Sequence, residues 1–346
     1  MKIRLGRKIR LVSQGRFLLL VCLSLVAVSS CFTTELYATG TKASVIQTVS
    51  RDTLPVLEIK PVPSPDTVQE FANLTINKLA AEAPFKDWKD AKLEYYPLGP
   101  GTHSWLVNVM NGEQRIGYLI VSATEKGGYM LSEYGAGTYG LPYSLIDLRQ
   151  LLVQKGLITS SFSGTIELTA LYAPLLPVWK ISIDDKTFFI NASVPTLLPW
   201  TLSKAESVLN GKLTETNLVT TLDSNVSPLS AYNSGGSDDP YEDIMWLTSP
   251  KLTTVSSDSI TLLIQSKKSI AYQAAGRNDT IGAPFMVTGY QSWLPDSGNK
   301  DTGNRATVYA ATGPEGKRYL PLSVLQELGT LHKLPEKNTK ALGFNH

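Results

Sequence analysis

The stretch that decides the fold runs from His103 to Gly137 and reads HSWLVNVMNGEQRIGYLIVSATEKGGYMLSEYGAG. Apolar and polar residues alternate up to Asn111-Gly112, a second apolar run covers 116–121, and a third run follows Gly127-Gly128. Asn-Gly and Gly-Gly tolerate the positive φ angles that tight hairpin turns require. The stretch therefore predicts a three-stranded antiparallel meander, on which we expect neighbouring helices to pack.

A helix is predicted directly before this meander. Ser64-Pro65-Asp66 combines a capping serine, a proline at the first helical position and an acid in the first turn. Pro84 ends the helical pattern, and residues 93–98 can form a first strand. Residues 64–140 are therefore interpreted as an α+β module, a helix followed by an antiparallel meander.

A second α+β module is predicted over 141–212. Ser144 caps a helix that ends near Gly156, and a capping box at Ser203-Lys-Ala-Glu206 starts a short helix. Between them, strands are expected at 166–172, 178–183 and 187–192. The segment Trp179-Lys-Ile-Ser-Ile parallels Trp105-Leu-Val-Asn-Val, which favours a repeated module, although two hairpins that begin with tryptophan can also match by chance.

The C-terminal part is predicted to be rich in β-structure. Residues 213–240 contain many Ser, Thr, Asn and Gly residues and are interpreted as a linker. A last domain at 241–335 has short strand patterns at 269–274, 284–293 and 306–311, followed by a short helix up to Gly329. We expect a small barrel-like domain there, with a polar tail at 336–346. The predicted fold class of the whole chain is α+β.

The charge distribution argues against a nucleic-acid partner. The chain of 346 residues has a formal net charge of +2, but six of its 32 Lys and Arg residues lie in the first 30 positions. The remainder has 26 basic and 30 acidic residues, a balance of −4. Nucleic-acid binding requires clustered positive charge, so this class is excluded.

The N-terminus predicts export. A basic segment at 1–16 precedes the apolar core FLLLVCLSLVAVSS at 17–30, which is shorter than the roughly 20 residues that span a bilayer. Val28-Ser29-Ser30-Cys31 resembles a bacterial lipobox, which would make Cys31 the lipid attachment site. An uncleaved anchor and release by ordinary signal peptidase are the alternatives. Residues 1–31 thus form the signal or anchor, 32–63 form a tether, and each alternative places the body outside the cytoplasmic membrane.

No catalytic or metal-binding motif stands out. Cys22 and Cys31 are the two cysteines, so no thiol chemistry is available after position 31. The acidic groups Asp238, Asp239, Glu242 and Asp243, and Asp296, Asn299, Asp301 and Asn304, lack the spacing of a calcium loop and are interpreted as solvated loops. No nucleophile elbow accompanies His332, and no dinucleotide or phosphate loop occurs. We therefore predict a protein that is not an enzyme and that holds no metal or cofactor.

Four aromatic residues are the candidates for a partner-binding surface. Trp105, Tyr118, Tyr129 and Tyr134 lie close together in the sequence of the meander. If exposed, such a group could hold a peptide or glycan. If buried, it forms the core of the sheet.

The first module resembles the propeptide or PepSY-type inhibitory modules of secreted bacterial proteases, including the streptopain type. The resemblance rests on the helix from Pro65, on GYLIVSA at 117–123 and on GGYMLSEYG at 127–135. In that family the module precedes a peptidase domain with a catalytic cysteine and histidine. Since no cysteine follows Cys31, the resemblance implies at most a stand-alone module that inhibits, chaperones or binds.

Two classes of function follow from these observations. In the first, the chain is a cell-envelope protein, attached to the cytoplasmic membrane by its N-terminus, that binds an extracytoplasmic peptide or protease through residues 64–140. An edge strand of the meander could provide main-chain hydrogen bonds for this binding. In the second, it is a passive structural or assembly component of the envelope.

Overall fold

The structure is a computed structural model. It describes residues 60–101, 103–164, 166–183, 185–211, 218–221, 225–252, 255–267, 269–276, 278–295 and 306–335. All of these belong to a compact unit, Ala38–His346, whereas the predicted lipid attachment site Cys31 lies outside the described residues. Among the helices described, none is long and apolar enough to cross a membrane.

Five helices and sixteen strands occur in the described ranges, which confirms the mixed helix and antiparallel-sheet class. The helices are α1 Asp66–Leu79, α2 Leu145–Gln154, α3 Leu202–Leu209, α4 Ser257–Lys267 and α5 Leu322–Leu328. The N-terminal strands are β1 Lys92–Leu98, β2 Ser104–Asn111, β3 Gln114–Ala123, β4 Tyr129–Ala136, β5 Glu167–Ala173, β6 Leu176–Ile183, β7 Lys186–Asn191 and β8 Thr196–Leu198. The C-terminal strands are β9 Val226–Pro228, β10 Tyr232–Asn233, β11 Lys251–Leu252, β12 Ile270–Ala274, β13 Phe285–Pro295, β14 Thr307–Thr312, β15 Arg318–Pro321 and β16 Gly329–Lys333.

The predicted meander is confirmed as β2, β3 and β4, with β1 added at the edge of the sheet. Trp105 pairs with Val121 across β2 and β3, and Tyr118 pairs with Gly135 across β3 and β4. Gly112 turns the first hairpin with a φ of 61°, a value that glycine adopts without steric cost.

This meander continues into the C-terminal strands as one sheet. Arg318 and Tyr319 of β15 pair with Gly135 and Tyr134 of β4. The sheet has the order β1-β2-β3-β4-β15-β14-β13-β12-β16-β11, and β9 and β10 also pair with β13. The described strands form no closed barrel, which corrects the barrel-like expectation for 241–335, because these strands extend an open sheet instead of curling onto themselves.

A second sheet, β5-β6-β7-β8, packs with α2 against one face of the large sheet. Apolar residues from both sheets share this core, among them Leu106, Ile120, Trp179 and Ile190. On the opposite face, α1 packs on Val107, Leu119 and other residues of the large sheet. The first module is therefore covered on both faces, and β4 is buried along almost its whole length.

Two predicted caps are misplaced by one or two residues. Pro65, not Ser64, occupies the capping position of α1, and the Ser64 hydroxyl is buried without a hydrogen-bond partner within the described residues. The Thr201 side chain caps α3 by accepting a hydrogen bond from Lys204 N, so Ser203 lies inside the helix. The cap of α2 is confirmed, because Ser144 Oγ accepts from Asp147 N at 3.2 Å.

Candidate functional site

The predicted aromatic surface is largely interior. Trp105, Tyr118 and Tyr134 are 6%, 1% and 0% exposed, and Tyr129 is half-buried. The ring of Tyr134 stacks on Tyr319 with centroids 5.0 Å apart. Of the two interpretations offered by the sequence, the core of the sheet fits Trp105, Tyr118 and Tyr134, and an exposed surface for a partner does not. Tyr129, at the start of β4, is covered only in part.

A buried carboxylate, Glu133 in β4, is the centre of a polar cluster between the two sheets. It accepts hydrogen bonds from the hydroxyls of Tyr118 at 2.9 Å and Tyr172 at 3.1 Å. Arg318 donates from Nε to Oε1 at 3.2 Å and from Nη2 to Oε2 at 2.7 Å. Both carboxylate oxygens are therefore satisfied, as a charge in a dry core requires.

The electrostatics of this cluster favour a structural role. Burial and the Glu133 charge raise the pKa of the Tyr118 and Tyr172 hydroxyls well above the usual range, so both remain protonated donors at neutral pH. Burial alone would lower the pKa of Arg318, but the Glu133 carboxylate raises it above its usual value. The cluster is thus a saturated ion pair that ties β4 to β5 and β15.

A half-open pocket of about 600 Å³ lies next to this cluster, where the first and second modules meet. Its volume is in the range of ligand-binding pockets. The loop after β1, the ends of β3 and β5, and the C-terminus of α3 form its walls. The lining residues are Gly99, Pro100, Gly101, His103, Ser104, Ser122, Ala123, Thr124, Glu125, Met130, Tyr172, Pro174, Leu209, Asn210 and Gly211.

A row of three serine hydroxyls leads from the core to this pocket. Ser132 Oγ, fully buried in β4, donates to Ser122 Oγ at 2.7 Å. The hydroxyls of Ser122 and Ser104 lie 2.8 Å apart, and both residues line the pocket. Because each hydroxyl orients the next one, the pocket presents polar groups whose positions are set before any ligand arrives.

The wall from the second module is fixed by backbone contacts. Gly99 N donates to Ala170 O at 2.9 Å, and Tyr172 N donates to Gly99 O at 2.8 Å. A Cβ atom at Gly99 would lie 2.7 Å from Cδ2 of Leu171, so a larger residue here would require the Leu171 side chain to move. Tyr172 connects the two features, since it lines the pocket while its hydroxyl binds Glu133.

A second surface feature is the apolar segment at 241–247, here called the apolar loop, which runs into a 3-10 helix at Ile244–Thr248. Tyr241, Ile244, Met245 and Leu247 are 69%, 57%, 58% and 53% exposed. The loop is held by Trp246, which is buried and donates from Nε1 to Pro240 O at 2.8 Å. Clusters of exposed apolar residues often mark protein-interaction surfaces.

The neighbouring acidic residues shape this loop. Asp239 Oδ1 accepts from Tyr241 N at 2.8 Å, and Asp243 Oδ1 accepts from Met245 N at 3.0 Å. The other predicted acidic group, at 296–304, lies outside the described residues. Within the described ranges, no group of three or more His, Cys, Asp or Glu residues is arranged to hold a metal ion.

His332 is buried beneath the apolar loop. Its ring packs edge-on against Trp246 with centroids 5.4 Å apart. Neither ring nitrogen forms a well-aligned hydrogen bond within the described residues. Burial lowers the pKa of His332, although the nearby backbone of Ser249 and Trp246 acts in the opposite direction. His332 is therefore a packing residue of this part of the sheet.

The sequence reasoning missed the residues that build the pocket and the ion pair. Ser132 and Glu133 lie inside the apolar run YMLSEYG, which gives them no distinguishing spacing. A usable signal was the adjacency of two polar residues in a strand predicted to lie inside a sheet, since one of the two must then be buried. Arg318, the ion-pair partner of Glu133, is 185 positions away in the sequence, so no local pattern connects the two.

Compared with known proteins, the chain matches no family model, no curated protein and no solved structure. The resemblance of residues 64–140 to the inhibitory modules of secreted proteases therefore stays a prediction.

Proposed function

We propose that this chain is a non-catalytic cell-envelope protein, exported and attached to the cytoplasmic membrane by its N-terminus, that binds an extracytoplasmic peptide or protease through residues 64–140. The alternative is a passive structural or assembly component of the envelope. The observation that carries the proposal is the half-open pocket, with its row of Ser132, Ser122 and Ser104 hydroxyls.

The composition of the pocket suits a peptide. Ser104 and Ser122 offer hydroxyls that can donate to or accept from main-chain groups, whereas Met130, Pro100 and Leu209 provide apolar surface. Pockets that bind peptide side chains combine an apolar lining with a few oriented polar groups. The predicted tether at 32–63 supports the proposal, because it would let the body reach partners near the membrane.

Main-chain pairing offers additional affinity at the edge strand β1. Val62 N donates to Tyr95 O at 3.0 Å, so the segment directly before α1 already occupies one position of this edge. The backbone N–H and C=O groups of Tyr95 and Gly99 point away from β2. Because alternate residues of a strand point the same way, the backbone groups of Leu93 and Pro97 also face the open edge. Proline lacks an N–H, so the available edge is short and centres on Leu93.

The repeat of the module also belongs to this proposal. A helix followed by four antiparallel strands occurs twice, as α1 with β1–β4 and as α2 with β5–β8. Trp105 and Trp179 each lie in the second strand of their module. Trp179 shares a hydrophobic core with α2, and Val107 and Val109, in the same strand as Trp105, share a core with α1. We propose that the second module arose by duplication and supplies the other wall of the pocket.

A binding experiment with blocked pockets tests the proposal. Peptides selected from a random library against the full-length chain are titrated by calorimetry. Ser104→Phe and Asn210→Trp place a ring in the pocket from either side, and each is expected to weaken binding at least about tenfold. Ser256→Phe is the matched control, because it fills a second cavity of about 590 Å³ beside α4 and α5.

The apolar loop is the rival site, and the same titration separates the two. Met245→Asp removes apolar surface from the exposed loop without touching the pocket. If this variant abolishes binding while both blocked pockets retain it, the loop is the partner surface and the proposal for residues 64–140 fails. If no peptide is selected, the passive structural role is favoured.

A further inference from the structure

Arg115, at the start of β3, carries a buried positive charge that is only partly satisfied. Its Nη1 donates to Pro142 O at 2.6 Å, and its guanidinium lies 5.4 Å from the centre of the Tyr118 ring. Its Nε and Nη2 atoms are shielded from water and have no hydrogen-bond partner within the described residues. Two donors on one edge of the guanidinium therefore have no partner among the described residues.

Nε and Nη2 form one edge of the guanidinium. In another arginine of this protein, Arg318, the same edge binds a carboxylate. In Arg318, Nε and Nη2 bind the two oxygens of Glu133 at 3.2 and 2.7 Å. Parallel N–H groups match the two oxygens of a carboxylate in geometry and charge. The chain thus contains one such fork with its carboxylate and one without a described partner.

The charge balance around Arg115 points to the same ligand. Burial lowers the pKa of Arg115 to about 10, so the group is still a cation at neutral pH. The titratable groups that face it are the hydroxyls of Tyr118, Tyr96 and Tyr143. Burial raises the pKa of each, so they are neutral at pH 7 and leave the guanidinium without a described counter-charge.

The backbone beside Arg115 is held firmly. Tyr143 has a φ of 62°, which is costly for a residue other than glycine. It is fixed by Tyr143 N donating to Ala192 O at 3.0 Å and by its hydroxyl donating to Leu171 O at 2.6 Å. These contacts keep the preceding carbonyl, Pro142 O, on Nη1. The remaining donors, Nε and Nη2, are therefore preset for a ligand.

We propose that Arg115 is a binding site for a carboxylate, held bidentately by Nε and Nη2. Asn108 on the neighbouring strand β2 lies on the same part of the sheet, and its Oδ1 also has no hydrogen-bond partner within the described residues. The residue Arg115 as a whole is only half-buried. Because Nε and Nη2 themselves are shielded from water, a carboxylate would need a local movement of the covering side chains to reach them. This inference does not depend on the proposed pocket, which lies near the opposite ends of β2 and β3.

The carboxylate belongs either to a free organic acid or to an acidic peptide, and thermal unfolding distinguishes these sources. The full-length chain is titrated with acetate, replacing chloride at constant ionic strength, and separately with a C-terminally amidated peptide containing one Glu or, as control, Gln. Acetate is expected to raise the unfolding temperature saturably. A response to the Glu peptide alone would assign the site to peptides.

Three variants establish whether the fork is responsible. Arg115→Gln is expected to lose the response, and Arg115→Lys, which keeps the charge but not the fork, to weaken it at least about tenfold. Arg149→Gln removes a half-buried arginine of α2, whose Nη2 donates to Ser160 O, and is expected to respond like the wild type. Near-ultraviolet circular dichroism confirms that each variant is folded.

Three results would overturn the proposal. The first is an absence of saturable stabilisation by acetate and by the Glu peptide. The second is a full response in Arg115→Lys, which would show that a positive charge alone is sufficient and that the bidentate geometry is not required. The third is stabilisation by phosphate or sulfate without stabilisation by carboxylates.

Discussion

Arg318 and Arg115 show how the same side chain serves two purposes in one core. Arg318 pairs with Glu133, and Tyr118 and Tyr172 complete the bonding of that carboxylate. Arg115 lies over the Tyr118 ring and has two donors without a described partner. The Arg318–Glu133 cluster holds β4, β5 and β15 together. Arg115, in contrast, is a buried cation with no acidic partner among the described residues. The saturated cluster is therefore assigned a structural role, whereas the two unpartnered donors of Arg115 are the basis of the proposed carboxylate site.

The largest effect is expected from breaking the saturated pair. Glu133→Gln leaves Arg318 charged and buried without a counter-charge, so the free energy of unfolding should fall by about 3–5 kcal/mol. Urea denaturation measures this change. The double variant Glu133→Gln with Arg318→Met should be more stable than the single variant, because no uncompensated charge remains. A single variant that loses less than about 1 kcal/mol would contradict the structural role of the pair.

Tyr172→Phe is expected to have the next largest effect on stability. It removes a donor to an ionised carboxylate, a bond whose loss typically costs about 1.5–3 kcal/mol. Tyr241→Phe is the matched control, because Tyr241 is 69% exposed. Equal urea midpoints for the two variants would show that the Tyr172 hydroxyl contributes nothing to the cluster.

His332 extends the comparison with the two arginines, because it is a buried basic group that, unlike an arginine, can be neutral near pH 7. Burial lowers its pKa below the usual 6.5, so the unfolded chain takes up a proton before the folded chain does. The stability contributed by the neutral imidazole should therefore be fully present above the unfolded pKa of about 6.5 and should decrease as the pH falls below that value.

Urea midpoints between pH 5 and 8 test this dependence. His332→Leu should remove the decrease, whereas the exposed residue His103 serves as the control in His103→Gln. A decrease of the same size in His332→Leu and in the wild type would assign the pH dependence to other groups.

The smallest effect is expected for Arg115→Met in chloride buffer without carboxylates. Replacing an incompletely paired buried charge with an apolar side chain of similar length should change the free energy of unfolding by less than about 1 kcal/mol, and in the stabilising direction. Adding acetate should make the wild type the more stable protein. A large loss in the absence of carboxylate would mean that Arg115 is already paired within the chain.

Local patterns predicted the elements of the fold well. Asn111-Gly112 and Gly127-Gly128 located the turns of the meander, and Ser144 and Gly156 bounded α2. Helix α4 was missed, because SDSITLLIQSK is rich in β-branched and hydroxyl residues and buries just Ile260 and Ile264 at full depth. The pairing of β4 with β15 was also missed, since register between distant strands leaves no local pattern.

The candidate site was harder to predict than the fold. The sequence offered Trp105 and Tyr134 as candidates because they are aromatic. The pocket instead depends on Ser104 and Ser122, whose hydroxyls meet because the two residues pair on adjacent strands. Glu133 and Arg318 become a pair only when β4 meets β15. Chemistry assembled across the sheet is therefore not visible in sequence spacing.

Site-specific photo-crosslinking tests the central claim, that a peptide or protein binds in the pocket beside Tyr172. Benzoylphenylalanine is placed at His103, an exposed residue lining the pocket, or at Ser256 in the second cavity, and cells expressing the full chain are irradiated. The account predicts an adduct from position 103 that falls at least about tenfold when Ser104→Phe is added, and none from position 256. Equal adducts from both positions, or an adduct from position 103 that Ser104→Phe leaves unchanged, would contradict it.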